Sequence, residues 1–161
     1  MMELMRIWQT IGSVTASLVL VTCVACGSRQ AGWGFQERGN SALVFGEQET
    51  DNIGYALACL DDRLELSLWS SSSGQPLGTH LAEPLLLHVA DRTFRATATG
   101  EVTEVGDEIV FTALFVDAAS VLRALSKGRR LTTQVGREFG SAPTPSREQL
   151  MRLARSCGAA L

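Results

Sequence analysis

From Ser41 onward, turn-forming residues interrupt the chain every eight to twelve positions, and most of the intervals between them alternate apolar and polar residues with a period of two. Successive side chains of a strand point to opposite faces, so this alternation suits a sheet with one buried face and one wet face. Residues 63–69 are the clearest case: Leu64, Leu66 and Leu68 share one face, and Arg63, Glu65, Ser67 and Trp69 the other. Residues 41–45 form a short apolar run, and residues 54–59 put Tyr55, Leu57 and Cys59 on one side before Leu60-Asp61-Asp62 turns the chain. Residues 85–90 and 93–99 flank a tight Asp91-Arg92 turn. A third pair, 101–105 and 108–116, turns at Gly106-Asp107. The pattern predicts a mostly β fold, a small antiparallel barrel or sandwich. An α/β enzyme would need long helices between its strands, and only two short ones are visible.

Those two helices carry their own end signals. Asp117 can cap residues 118–127, where Val121, Leu122 and Leu125 make an apolar stripe and Gly128 supplies the stop. Strand character returns at 130–135 and can continue to Phe139. Residues 141–145, with two prolines among small residues, read as a loop. Ser146 and Gln149, three apart, then fit a capping box for a C-terminal helix in which Leu150, Leu153, Ala154 and Cys157 fall at i, i+3, i+4 and i+7.

The first 25 residues read as an export signal and not as part of the fold. Arg6 precedes an apolar run over 11–24, and Cys-Val-Ala-Cys closes it. About 14 such residues fall short of the roughly 20 that a spanning helix needs. The end of the run resembles a bacterial lipobox, with Val24 and Ala25 before Cys26 and Gly27 and Ser28 after it. That resemblance implies lipid on Cys26 and attachment to the membrane through it, on the periplasmic side of the outer membrane. Ordinary cleavage near Ala25 or Gly27 would instead give a soluble periplasmic protein. Residues 26–35, rich in glycine and including Trp33, read as a tether, and 36–161 as one β-rich domain.

The cysteines follow from the same reading. With Cys23 removed and Cys26 lipidated, Cys59 and Cys157 remain, and strand alternation and helical spacing turn both inward. A bridge between them would close a loop of nearly 100 residues, worth about 4 to 5 kcal/mol in the chain-entropy model. Net charge is −3, which disfavours a nucleic-acid partner. The charge is uneven: residues 47–117 hold 13 acidic side chains against Arg63, Arg92 and Arg95, and residues 118–161 hold eight basic ones against Glu138 and Glu148.

No motif in the chain carries a reaction. Ser70-Ser71-Ser72-Ser73-Gly74 is a serine-rich loop without a G-x-S-x-G elbow or an adjacent base. His80, placed in a loop near Glu83, and His88, placed in a strand, are the only histidines. Their spacing matches no zinc signature, so no metal and no cofactor are expected. Glu47, Glu49 and Asp51 alternate as in a calcium loop, without its glycine and closing glutamate in place. Trp69, opposite the leucines, is a candidate aromatic contact for a partner, with Ser73 and Gly74.

The stretch 41–51, followed by Tyr55-Ala56-Leu57-Ala58-Cys59 and a terminal helix reaching Cys157, resembles exported β-domain proteins of proteobacteria. More distantly it is similar to the invasion-associated locus B family. The resemblance implies a fold and no catalytic residue. The loop ending at Gly74 also resembles that of periplasmic lysozyme-inhibitor barrels, which implies Ser73 and Gly74 as contacts with an enzyme. The expected function is a non-enzymatic binding or structural module of the cell envelope, with an envelope protein or glycan as partner. The alternatives are an inhibitor of that lysozyme type or a hydrolase using His80 or His88.

Overall fold

The structure, a computed structural model, describes residues 31–36, 42–46, 53–71, 75–102 and 108–161. Among these residues nine strands and two helices follow in the order β1 (Gly32–Gln36), β2 (Ala42–Gly46), β3 (Ile53–Leu60), β4 (Arg63–Ser71), β5 (His80–Val89), β6 (Arg92–Val102), β7 (Glu108–Phe115), α1 (Ala118–Lys127), β8 (Arg130–Val135), β9 (Glu138–Pro143) and α2 (Arg147–Ser156). All strand pairs are antiparallel, in one sheet of order β1-β2-β3-β4-β7-β6-β5-β8-β9. The expected signal and Cys26, the loop of Ser72, Ser73 and Gly74, the acidic segment 47–52 and the turn at Gly106-Asp107 lie outside the described residues.

The period-two reading holds where it was sharpest. Leu64, Leu66 and Leu68 of β4 are buried beside Tyr55, Leu57 and Cys59 of β3, and Leu85, Leu87 and Val89 of β5 join the same cluster. The sheet curls until strands far apart in its order touch. The Tyr55 hydroxyl of β3 lies 3.0 Å from the Thr133 hydroxyl of β8, in the buried interior. The result is a curled antiparallel half-barrel around one core.

Both helices sit at one end of this half-barrel. Antiparallel pairing puts the β3–β4 turn, the β5–β6 turn and the end of β7 at that end, and the starts of β5, β7 and β9 at the other. Asp117 caps α1 by accepting from the Ser120 amide at 3.0 Å, and hydrogen bonding to Ser120 holds its carboxyl below the usual carboxylate range, with the charges of Arg123 and Arg92 helping. Ser146 and Gln149 form the reciprocal capping box of α2, at 3.3 and 2.9 Å. Leu150, Leu153 and Ala154 bury the inner face of α2 against β2 and β3, and Cys59 and Cys157 are joined in a disulfide there.

Several expectations need correction. Residues 32–35 form no tether: they lie in β1, which pairs with β2 through five registered positions, and Trp33 is half-buried. Tertiary contacts outweigh the poor strand propensity of its glycines. The Trp33 indole donates to the Pro143 carbonyl at 2.7 Å, Gln149 of α2 donates to the Trp33 carbonyl at 2.8 Å, and the Arg152 guanidinium lies 4.2 Å from the centre of the Phe35 ring. His80 is not in a loop but opens β5, and Glu101 and Val102 continue β6 instead of starting a new strand. The turn between β5 and β6 falls on Ala90-Asp91, with Ala90 at φ 53°, and Pro84 is accommodated in β5 just past the last rung to β8. Residues 141–143 are strand and not loop. The strand from Arg130 stops at Val135 because Gly136, at φ +54°, makes a two-residue turn with Arg137, and β9 returns from it.

Candidate binding cleft

At the end away from the helices, among the described residues, β9 faces the start of β3 and the ends of β2 and β4. A cleft of about 280 Å3 opens there, lined inside by Phe45, Tyr55, Leu68 and Thr133 and bordered by the strand segments that carry Trp69 and Phe139, whose side chains alternate to the outer face of the sheet. Ser70, Glu138 and Ser141 supply its polar rim. A second recess of about 140 Å3 shares Ser70, Val135 and Glu138 with it and adds Glu83 and Arg137. Mouths of β-barrels are common ligand sites.

The aromatic lining is held from behind. Trp33, Phe45 and Tyr55 form a tilted series from the edge strand into the core, with ring centres 5.3 and 6.4 Å apart. Phe139 is different: 72% of its surface is exposed on the edge strand β9. Beneath it Gly140 packs directly on the Tyr55 hydroxyl, and any Cβ there would collide with that oxygen. This close approach brings β9 and β3 together and sets the depth of the cleft.

The floor is chemically quiet. Burial pushes the Tyr55 phenol above its ordinary value, partly opposed by the hydrogen bond to Thr133, so it stays protonated near neutral pH. The two hydroxyls bond each other, leaving neither as an activated nucleophile.

Of the expected contacts, Trp69 borders the cleft through its strand while its side chain takes the outer face, opposite the buried Leu68, and Ser73 and Gly74 lie outside the described residues. Cys59 and Cys157 meet in their bond at the opposite, helix-covered end. The histidines stay apart. His88 sits exposed with Nδ1 2.9 Å from the Thr93 hydroxyl, and His80, eight positions earlier on the same strand and so roughly 26 Å away, borders an outer-face recess with Thr99, Glu101 and Thr112. Among the described residues no three potential ligands gather around a metal position, and no helix is long and apolar enough to cross a membrane.

Sequence reasoning did not place Phe45, Tyr55, Phe139 or Ser141 at a site. The one local signal was Gly136-Arg137 between alternating segments, a two-residue hairpin turn that puts Phe139 on a returning strand. Charge is segregated along the same axis. Glu83 and Glu138 share a recess with Arg137 at the end away from the helices, where Glu101 and Glu108 also lie on their strands, whereas Arg92, Arg123 and Lys127 line a recess of about 210 Å3 with Asp91 at the helix end. In comparisons with known proteins, no family model, no curated protein and no solved structure matches the chain.

Proposed function

We propose that this chain is an exported binding module of the cell envelope, held through lipid on Cys26 or free in the periplasm, and that it binds its partner in the aromatic cleft without turnover. The observation that carries the reading is Phe139, a large apolar side chain 72% exposed on the edge strand that borders the cleft. Exposed aromatics beside a recess with a polar rim are what partner-binding surfaces use for affinity. The pairing of Tyr55 with Thr133 supports holding a ligand over attacking one.

A photo-crosslinking side chain in place of Phe139, introduced into the full chain in its native envelope, tests this. Specific adducts are expected there and not at Arg95, which is exposed on β6 away from the cleft. Equal labelling at both positions, or none at either, overturns the reading. The anchor has its own test. Cys26→Ser should release the protein to the soluble periplasmic fraction or leave its precursor uncleaved, and an unchanged, processed, membrane-bound product rejects lipid on Cys26.

A further inference from the structure

The cleft runs along a sheet edge, and the register of β8 and β9 fixes what that edge presents. Their hairpin turns on two residues, Gly136 and Arg137, so Val135 and Glu138 form its hydrogen-bonded closing pair. Counting along the ladder, Glu138, Gly140 and Ala142 bond inward to β8, and Phe139, Ser141 and Pro143 turn their main-chain groups outward. Two contacts agree with this parity. The Pro143 carbonyl accepts the Trp33 indole from outside the hairpin at 2.7 Å, and the Thr144 amide donates inward to the Arg129 carbonyl at 3.1 Å.

Pro143 is thus satisfied and has no N–H to offer, whereas Phe139 and Ser141 each present one N–H and one C=O. Among the described residues no partner bonds to these four groups. They repeat every two residues, about 6.8 Å, the spacing of a second antiparallel strand. Gly54 and Phe45 line the same cleft as Phe139 and Ser141. The charged side chains described at this end are Glu83, Glu101, Glu108 and Glu138 against Arg137.

We infer that the occupant of the cleft is an extended, basic peptide segment, added to the free edge of β9 as one more strand of the described sheet, with an apolar side chain paired across that edge with Phe139. The inference rests on the proposed binding role of the cleft and names its partner class. A glycan could stack on the aromatic rings, but it has no alternating donors and acceptors at strand spacing. An acidic peptide would match the edge and meet like charge around it, and a neutral one would gain nothing from that charge.

The probe is a synthetic seven-residue peptide of alternating lysine and valine with a central phenylalanine, titrated against the full chain and followed by fluorescence anisotropy. Saturable binding is expected. Methylating the backbone nitrogens of one alternate set should weaken it about tenfold or more, and methylating the other set less than about threefold, because only one set faces β9. Glutamate in place of every lysine should also weaken binding about tenfold or more. The amides of Phe139 and Ser141 should become protected from hydrogen exchange in the complex. Ser141→Pro, which deletes an outward N–H and leaves the inward ladder whole, should reproduce the loss. The methylated peptides keep the test decisive should that variant fold poorly. Equal binding of both methylated peptides, or no saturable binding, overturns strand addition. Adducts at position 139 without peptide binding, or adducts to glycan alone, remove the peptide and leave the cleft as a binding site. Absence of both adducts and binding removes both.

Discussion

Replacing Cys59 and Cys157 together by alanine removes the bond that ties the end of β3 to the end of α2, across a sequence separation of 98 residues. In the chain-entropy model, closing a loop of that length lowers the entropy of the unfolded chain by about 16 cal/mol/K, or about 4.7 kcal/mol at 25 °C. Domains of this size are stable by roughly 5–15 kcal/mol, so the double variant should remain folded with little margin. Its helix is not left unsupported, because Leu150, Leu153 and Ala154 stay buried against the sheet. Urea unfolding followed by tryptophan fluorescence and circular dichroism reads the effect directly. At a slope of about 1–3 kcal/mol per molar urea, the midpoint should fall by about 1.6–4.7 M, and the slope should rise as the unfolded chain expands. Reducing the unsubstituted protein should give the same curve to within about 1 kcal/mol, the scale on which truncating two buried sulfurs acts by itself. A loss below about 1 kcal/mol with an unchanged slope would refute the reasoning, since it would mean that the unfolded chain stays compact without the bond.

Gly140→Ala puts a Cβ against the buried Tyr55 hydroxyl, so a loss of about 1–3 kcal/mol is expected from overpacking, with weaker crosslinking at position 139 as β9 shifts; thermal unfolding within about 0.5 kcal/mol of the parent contradicts that packing. Tyr55→Phe leaves the buried Thr133 hydroxyl without its partner, for a loss of about 1–2 kcal/mol at neutral pH. The phenol's raised value also has a sign: the folded state resists ionising it, so this contribution is whole below about pH 10 and is lost as pH rises through the folded value. The alkaline fall in stability should therefore be shallower in Tyr55→Phe, and parallel alkaline limbs count against the assignment. Ser146→Ala removes half of the capping box and should lower stability by about 1 kcal/mol, with the earliest hydrogen exchange in the first turn of α2.

What was legible in the sequence was whatever local chemistry decides. The leucines of β4 declare their face because the side-chain period of a strand is two. Asp117 and Gly128 bracket α1, and Ser146 with Gln149 starts α2, because caps satisfy groups within a few residues of themselves. Cys59 and Cys157 were readable by combining those two periods. β1 was not, since Gly32 and Gly34 argue against a strand and its support comes from Gln149 and Arg152, more than 110 positions away. Pro143 looked like a loop residue and is tolerated where the edge of β9 needs no N–H. The cleft was hidden for a different reason. Phe45, Trp69 and Phe139 lie on three strands that meet only because the sheet curls, and no spacing along the chain encodes that curl.

The position of β1 has a consequence for how such a module would stand in the envelope. Gly32 pairs with Gly46, so the chain joins the fold at the same end as the cleft. Cys26 precedes Gly32 by six positions, at most about 20 Å of chain. A lipid on Cys26 would then hold the cleft facing the bilayer, with the disulfide-tied helices and their arginines turned toward the peptidoglycan. Anything reaching that cleft would have to come along the membrane surface or emerge from it, so anchoring would choose partners by where they are as well as by what they are.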